Sequence, residues 1–210
     1  GSSTQARGAT GGGTVLVGGD WQGTGAVYQA SKVEAESGSS VDVSATRQGD
    51  GGKAVLWSNA HQAGTSTRAQ GQVSALGAGS GSGGQIETSG HALFLEGSQV
   101  NAGVGGQWLL DPYNVTISNG STQTGGSGGT AGGGGSWVPS ATGSTISNNL
   151  INSALNNGQN VSITTAGAGA QAGDITVNGA INKSSGGIAN LSLIADGSIT
   201  VGANITMGSS

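Results

Sequence analysis

One phrase returns along the first half of this chain: a pair of glycines followed by a short strand. It reads GGTVLV at 12–17, GGKAVLW at 51–57, GGQIETS at 83–89 and GGQWLLD at 105–111. A second phrase falls between these copies: SSVDVSA at 39–45, GQVSALG at 71–77 and SQVNAG at 98–103. Repetition at this spacing points to stacked structural units rather than one closed core. Alternation of apolar and polar residues over so few positions is the pattern of a half-buried strand. The glycine pairs read as turns where a left-handed backbone is cheap. Short strands at close spacing, with no helical stretch between them, predict an all-β fold, a right-handed parallel β-helix over most of 12–117. Its interior should hold Val15, Val17, Val43, Val55, Val73, Ile86 and Val100. Small residues such as Ala45, Ala75 and Ala102 suit a narrow core. A sandwich or barrel is the competing architecture.

Composition removes several function classes. The chain has 210 residues, 45 of them glycine, and no cysteine. Disulfides, thiol catalysis and Cys-based zinc sites are therefore excluded together. A net charge of −4 offers no basic face to nucleic acid. No apolar run approaches the ~20 residues needed to span a bilayer as a helix. The start, GSSTQARGAT, lacks the apolar stretch of a signal peptide and reads as a cut through a longer protein.

The character changes after Asn119. The tract 121–136 is rich in Gly, Ser and Thr and is expected to be the most mobile part of the chain. STISNNLINSALNNG at 144–158 reads as one helix, with Ser144 as N-cap and Gly158 just past its end. Ile146, Leu150, Ile151 and Leu155 would share its buried face. Asn is a weak helix former, so tertiary packing has to hold this helix. Strand patterns resume at 161–165, 174–181 and 189–206. The predicted organisation is a β-helix segment over 1–118, a Gly-rich loop over 119–143, a helix over 144–158 and further coils over 159–210.

Four motifs taken in order, VLVGGDWQG (15–23), GDGGKAVLW (49–57), GGQIETSG (83–90) and WLLDPYN (108–114), resemble the large exoproteins of two-partner secretion. These are the filamentous haemagglutinin-like adhesins of Gram-negative bacteria. The resemblance implies a β-helix and export through a dedicated outer-membrane secretion pore. It also implies a place outside the cell or on its surface, and a role in attachment or biofilm. Host-cell or matrix glycans and proteins are the partners that follow from it.

WLLDPYN also carries the one candidate for chemistry. The Asp111 carboxyl can close a five-membered ring onto its own backbone carbonyl, and Pro112 supplies a tertiary amide nitrogen that leaves readily once protonated. The ring closes intramolecularly, so proximity does much of the work. A raised carboxyl pKa would help, because the protonated acid carries the proton the leaving nitrogen needs. Trp108, Leu109 and Leu110 would supply a desolvated setting, and Asn114 would orient the carboxyl or the developing oxyanion. Against this stands the ordinary use of Asp-Pro-x-Asn as a turn at a strand end. Any catalysis would be a single turnover on the chain itself.

His61 and His91 sit in polar, turn-like contexts without a third ligand at metal spacing and read as surface residues. Trp21, Trp57, Trp108 and Trp137 read as solenoid packing rather than sugar platforms. The sequence predicts no metal and no cofactor.

Overall fold

The computed structural model describes residues 1–120, 126–127, 138–139, 143–165 and 173–208. The chain winds into a parallel β-helix with one short helix. Six strands form the longest sheet, in the order Thr14–Val17, Lys53–Trp57, Gln85–Gly90, Gln107–Pro112, Asn160–Thr165 and Leu191–Ala195. Each pairs with the next in parallel. The four glycine-pair phrases are therefore successive rungs, with Thr14, Lys53, Gln85 and Gln107 in line. The second phrase builds its own sheet, with Val41, Val73 and Val100 in register.

A third face starts with Lys32–Ala35, Ser66–Ala69 and Ala92–Phe94. It continues through Ser144–Ser147, Val115–Ser118, Ile175–Val177 and Ile199–Val201. The junction is made by the Ser144 hydroxyl, which accepts from Leu93 N–H at 2.8 Å. Ser144–Ser147 thus lies beneath Val115–Ser118, although it comes later in the chain. Gly126–Ser127 and Val138–Pro139, in the connection between these strands, pair antiparallel. The rest of the Gly-rich tract, with the mobility expected of it, and Trp137 fall outside the described residues.

The interior is one continuous apolar stack, and it contains Val43, Val73 and Ile86 as expected, together with Trp108. Val15 and Val100 pack against it half-buried. Val17, at the open first rung, is 37% exposed. Val55 is a correction. It is fully buried, but with Trp57 and Ala60 on the outer face of the sheet; Ala54 and Leu56 are the inward residues of that strand. A lid over the outer face, described below, makes both faces of this strand apolar and removes the contrast on which the inward assignment rested.

Gly105, in the fourth glycine pair, is left-handed as expected, with a φ of 72°, but the other three pairs work differently. Gly12, Gly13, Gly51, Gly52, Gly83 and Gly84 are not left-handed. Instead, neighbouring coils approach too closely for a side chain: a Cβ on Gly52 would lie 1.9 Å from Gly13 O, and one on Gly84 2.1 Å from Gly52 O.

The helix spans Asn148–Asn156 and is capped by Ser147, whose hydroxyl accepts from Asn149 N–H. Ser144 and Ile146, expected inside it, belong to the preceding strand. Ile151, Ala154 and Leu155 are buried, Leu150 is half-buried, and Gly158 is left-handed as a residue past the helix end should be. The helix takes the place of a rung, and its asparagines hydrogen-bond to the strand above. Asn148 Nδ2 donates to Ala180 O at 2.7 Å, and Asn152 Oδ1 accepts from Asn182 N–H at 2.8 Å. Asn156 Oδ1 accepts from Ser184 N–H at 2.7 Å and Ser185 N–H at 2.9 Å. Four helical residues rise about 6 Å and two strand residues about 6.6 Å, so every fourth side chain meets every second backbone unit.

Candidate functional site

Asp111 lies in the strand Gln107–Pro112, directly opposite Ser89; Pro112 is opposite Gly90. Alternation turns Trp108 and Leu110 into the core and Leu109 and Asp111 onto the outer face of the long sheet. The outer face of a solenoid is ordinarily wet. Here Asp111 is only 6% exposed, and Glu87 and Ser89 are fully buried.

A loop over 18–30 covers part of this face. It leaves and rejoins the coil at one point, where Ala30 N–H donates to Gly18 O at 2.7 Å. Within it, the Asp20 carboxylate accepts from Trp21 N–H and starts a short turn over Trp21–Gly23. Trp21 and Leu16 pack against Val55, Trp57 and Ala60. A Cβ on Gly19 would sit 2.2 Å from the Trp57 ring, and one on Gly23 2.4 Å from its far edge. The glycines of GGDWQG therefore let the loop lie flat on the Trp57 indole. Gln22 has a φ of 52°, among the described residues the one left-handed residue that is not glycine. Its N–H donates to Glu87 Oε2 at 2.9 Å, and the Ser89 hydroxyl donates to Glu87 Oε1 at 2.8 Å.

Both buried acids resist ionisation. Glu87 is pushed up to about 7, first by burial; Gln22 N–H and the Ser89 hydroxyl oppose the rise, while Asp111 and Asp20 add to it. Asp111 is pushed up to about 6, again first by burial; Thr164 and His61 pull it back and Asp196 adds to the rise. Asp111 Oδ1 is buried without a hydrogen-bond partner. The strand pairing that aligns Leu110 with Ile163 brings Thr164 alongside Asp111 on the next rung, and the Thr164 hydroxyl also reaches Leu110 O at 3.5 Å.

The residues read from WLLDPYN take separate positions. Asp111 and Pro112 end the strand rather than forming a turn of their own. Asn114 lies at the following corner, where its Oδ1 accepts from Asp174 N–H at 2.6 Å and ties the coil to the next. Thr164 fills the neighbouring place at the Asp111 carboxyl. Among the described residues, no three His, Asp or Glu side chains converge as a metal site would require. His61 is exposed, as expected, but His91 is not a surface residue. It is 7% exposed, its Nδ1 lies 3.3 Å from Ala60 O, and its ring stacks on Tyr113 at 4.3 Å. Together with Tyr113 N–H to His91 O at 3.3 Å, this stack pins the chain just beyond Pro112. Trp57 and Trp108 are buried and Trp21 half-buried, in keeping with a packing role.

Glu87 and Ser89 are the residues that sequence reasoning missed. Both lie in GGQIETSG at alternate positions, a spacing that places them on one outer face. Nothing local signals that a loop some 65 residues earlier in the chain closes over them. No family model matches this chain, and no characterised protein matches it either.

Proposed function

We propose that the chain is a segment of an exported bacterial adhesin stalk, in which the Asp111–Pro112 bond breaks itself in a single turnover. The stalk reading is supported by the parallel β-helix and by the four ordered motifs. The observation that carries the chemical reading is the state of the Asp111 carboxyl. It is buried and adjacent to the scissile bond, it stays protonated up to about pH 6, and its Oδ1 has no partner to satisfy. An unengaged oxygen is free to attack, and a protonated acid carries the proton for the leaving nitrogen.

In this reading Asp111 Oδ1 attacks its own backbone carbonyl carbon. The bond to Pro112 nitrogen breaks, the carboxyl proton passes to that nitrogen, and a cyclic anhydride remains. Hydrolysis would then give residues 1–111 and 112–210. The seated ends would stay in place, because Leu109, Leu110 and Tyr113 are buried on both sides of the break.

A purely structural stalk is the second reading. The continuous ladder through Asp111–Ser89 and Pro112–Gly90 favours it, since a bond held in a sheet resists the distortion that attack requires. Intact mass of the folded protein, followed for a week at pH 5, 6 and 7, decides between them. The chemical reading expects a new N-terminal Pro112 in the wild type, none in Asp111→Ala, and a slower break in Pro112→Ala. A full-length wild-type mass at every pH leaves the structural stalk alone.

A further inference from the structure

We propose that Ser89, with Glu87 as its base, captures the acyl group released at Asp111, closing an ester between Ser89 Oγ and the Asp111 side-chain carbonyl. This inference rests on the self-cleavage reading above. Ser89 and Asp111 are direct partners in a parallel ladder, so their side chains leave the same face of the sheet about 5 Å apart. Ser89 Oγ already donates to Glu87 Oε1 at 2.8 Å. Glu87 is held from its other side by Gln22 N–H on Oε2, so its near oxygen stays on the serine. A hydroxyl hydrogen-bonded to a fixed carboxyl is the arrangement of an activated nucleophile and its base. Glu87 and Ser89 are fully buried, which restricts the water that would otherwise take the acyl group.

The step balances without water. Once Asp111 Oδ1 has displaced Pro112 nitrogen and the carboxyl proton has moved to that nitrogen, a five-membered anhydride remains. Ser89 Oγ attacks the side-chain carbonyl carbon of the ring and gives its proton to Glu87 in the fraction of molecules in which that carboxyl is ionised. The ring opens, and its bridging oxygen becomes part of the α-carboxylate that ends the N-terminal product. Glu87 returns its proton to that carboxylate or to solvent. A neighbour held in contact competes with water at effective concentrations of about 10⁵ M or more when its geometry is right.

Ser89 and Asp111 both belong to the N-terminal product. Capture therefore yields residues 1–111 closed by an internal ester and lighter by one water than the hydrolysed fragment. Thr164 flanks Asp111 on the other side and belongs to the C-terminal product. Capture there would keep the two halves joined at full mass, but the Thr164 hydroxyl faces the Asp111 carboxyl itself and Leu110 O, and has no separate carboxyl beside it as Ser89 has in Glu87. The Ser89 ester would lock the rungs Gln85–Gly90 and Gln107–Pro112 together at the newly made end of the coil, where fraying would otherwise begin.

The test is the mass and peptide map of full-length protein incubated folded near pH 6.5, then denatured in acid. The expected result is a new Pro112 N-terminus and a 1–111 fragment lighter by one water. The fragment should contain a Ser89–Asp111 cross-link that hydroxylamine opens. Ser89→Ala should still release Pro112 but give 1–111 at its hydrolysed mass. Glu87→Gln should keep the break and lower the ratio of ester to free acid by about a hundredfold. Cleavage that yields only hydrolysed 1–111 in the wild type overturns the capture and leaves self-cleavage standing. A missing water that maps elsewhere or persists in Ser89→Ala overturns it too. No cleavage in any variant overturns both readings together.

Discussion

Glu87→Gln gives a direct measure of what burying an acid on the outer face costs. In the unfolded chain Glu87 ionises near the ordinary 4.5; in the fold it stays neutral to about 7. The folded state therefore binds the proton more tightly. Its stability is full below pH 4.5, declines as the pH rises from there to about 7, and is level beyond. At about 1.4 kcal/mol per pH unit, this carboxyl alone removes about 3 kcal/mol across that window. Glutamine keeps the shape and the acceptor for Gln22 N–H but does not ionise. Urea unfolding of wild type and Glu87→Gln at pH 4 and pH 8 reads the effect, because burial is the largest cause of the shift and the charges of Asp111 and Asp20 are lesser ones. The variant should gain about 3 kcal/mol on the wild type in going from pH 4 to pH 8. A stability difference that stays constant across this range would mean that Glu87 is solvated in the fold, and the dry outer face would be refuted.

Three further outcomes follow from the geometry. Asn148→Ala removes the donor to Ala180 O and the acceptor of Gly120 N–H, and should cost about 2–3 kcal/mol in urea unfolding. Asn149→Ala, on the exposed side of the same helix, should be neutral or slightly stabilising, because Ala is the better helix former. Gly52→Ala forces a Cβ against Gly13 O and should cost about 3 kcal/mol in the same assay; Gly11→Ala, whose nearest contact is 3.8 Å, should cost little. The rate of Asp111–Pro112 cleavage, read by mass, should be level below pH 6 and fall about tenfold per pH unit above it, since the protonated acid is the reacting form. Thr164→Val removes a group that favours the ionised carboxyl and should move that break point to higher pH.

The stacking of coils was legible because every rung puts the same demand on the same place. Val41, Val73 and Val100 fill one position of the interior on three successive turns, so the phrase repeats in the sequence. The helix was legible from Ile151 and Leu155, but its start was not. STIS reads equally as a cap with the first helical turn or as an alternating strand, and the second reading wins because a gap in the third face needs filling. That gap lies between Ala92–Phe94 and Val115–Ser118, and nothing near residue 144 records it. The asparagines, weak residues for a helix, become intelligible only once the strand above them is in place.

The outer face was the least legible part, and the reason bears on function. The row of outward residues through Glu87 runs Leu16, Val55, Glu87, Leu109, Ser162 and Ser192 across the six rungs. The next row holds Trp57, Ser89, Asp111 and, beyond it, Thr164 and Ile194. Where this face is buried, as at Val55, Trp57 and Leu109, apolar side chains fill it without the penalty of burying a charge; towards Ser192 and Ile194 it is exposed. Glu87 and Asp111 are the exceptions, each costing about 3 kcal/mol at neutral pH by the same linkage. A coil selected for stability alone gains by replacing both. On the self-cleavage reading, the local rules broken at two adjacent rungs, beside an Asp–Pro bond and a hydroxyl hydrogen-bonded to a carboxyl, are where the chain would give up stability for chemistry.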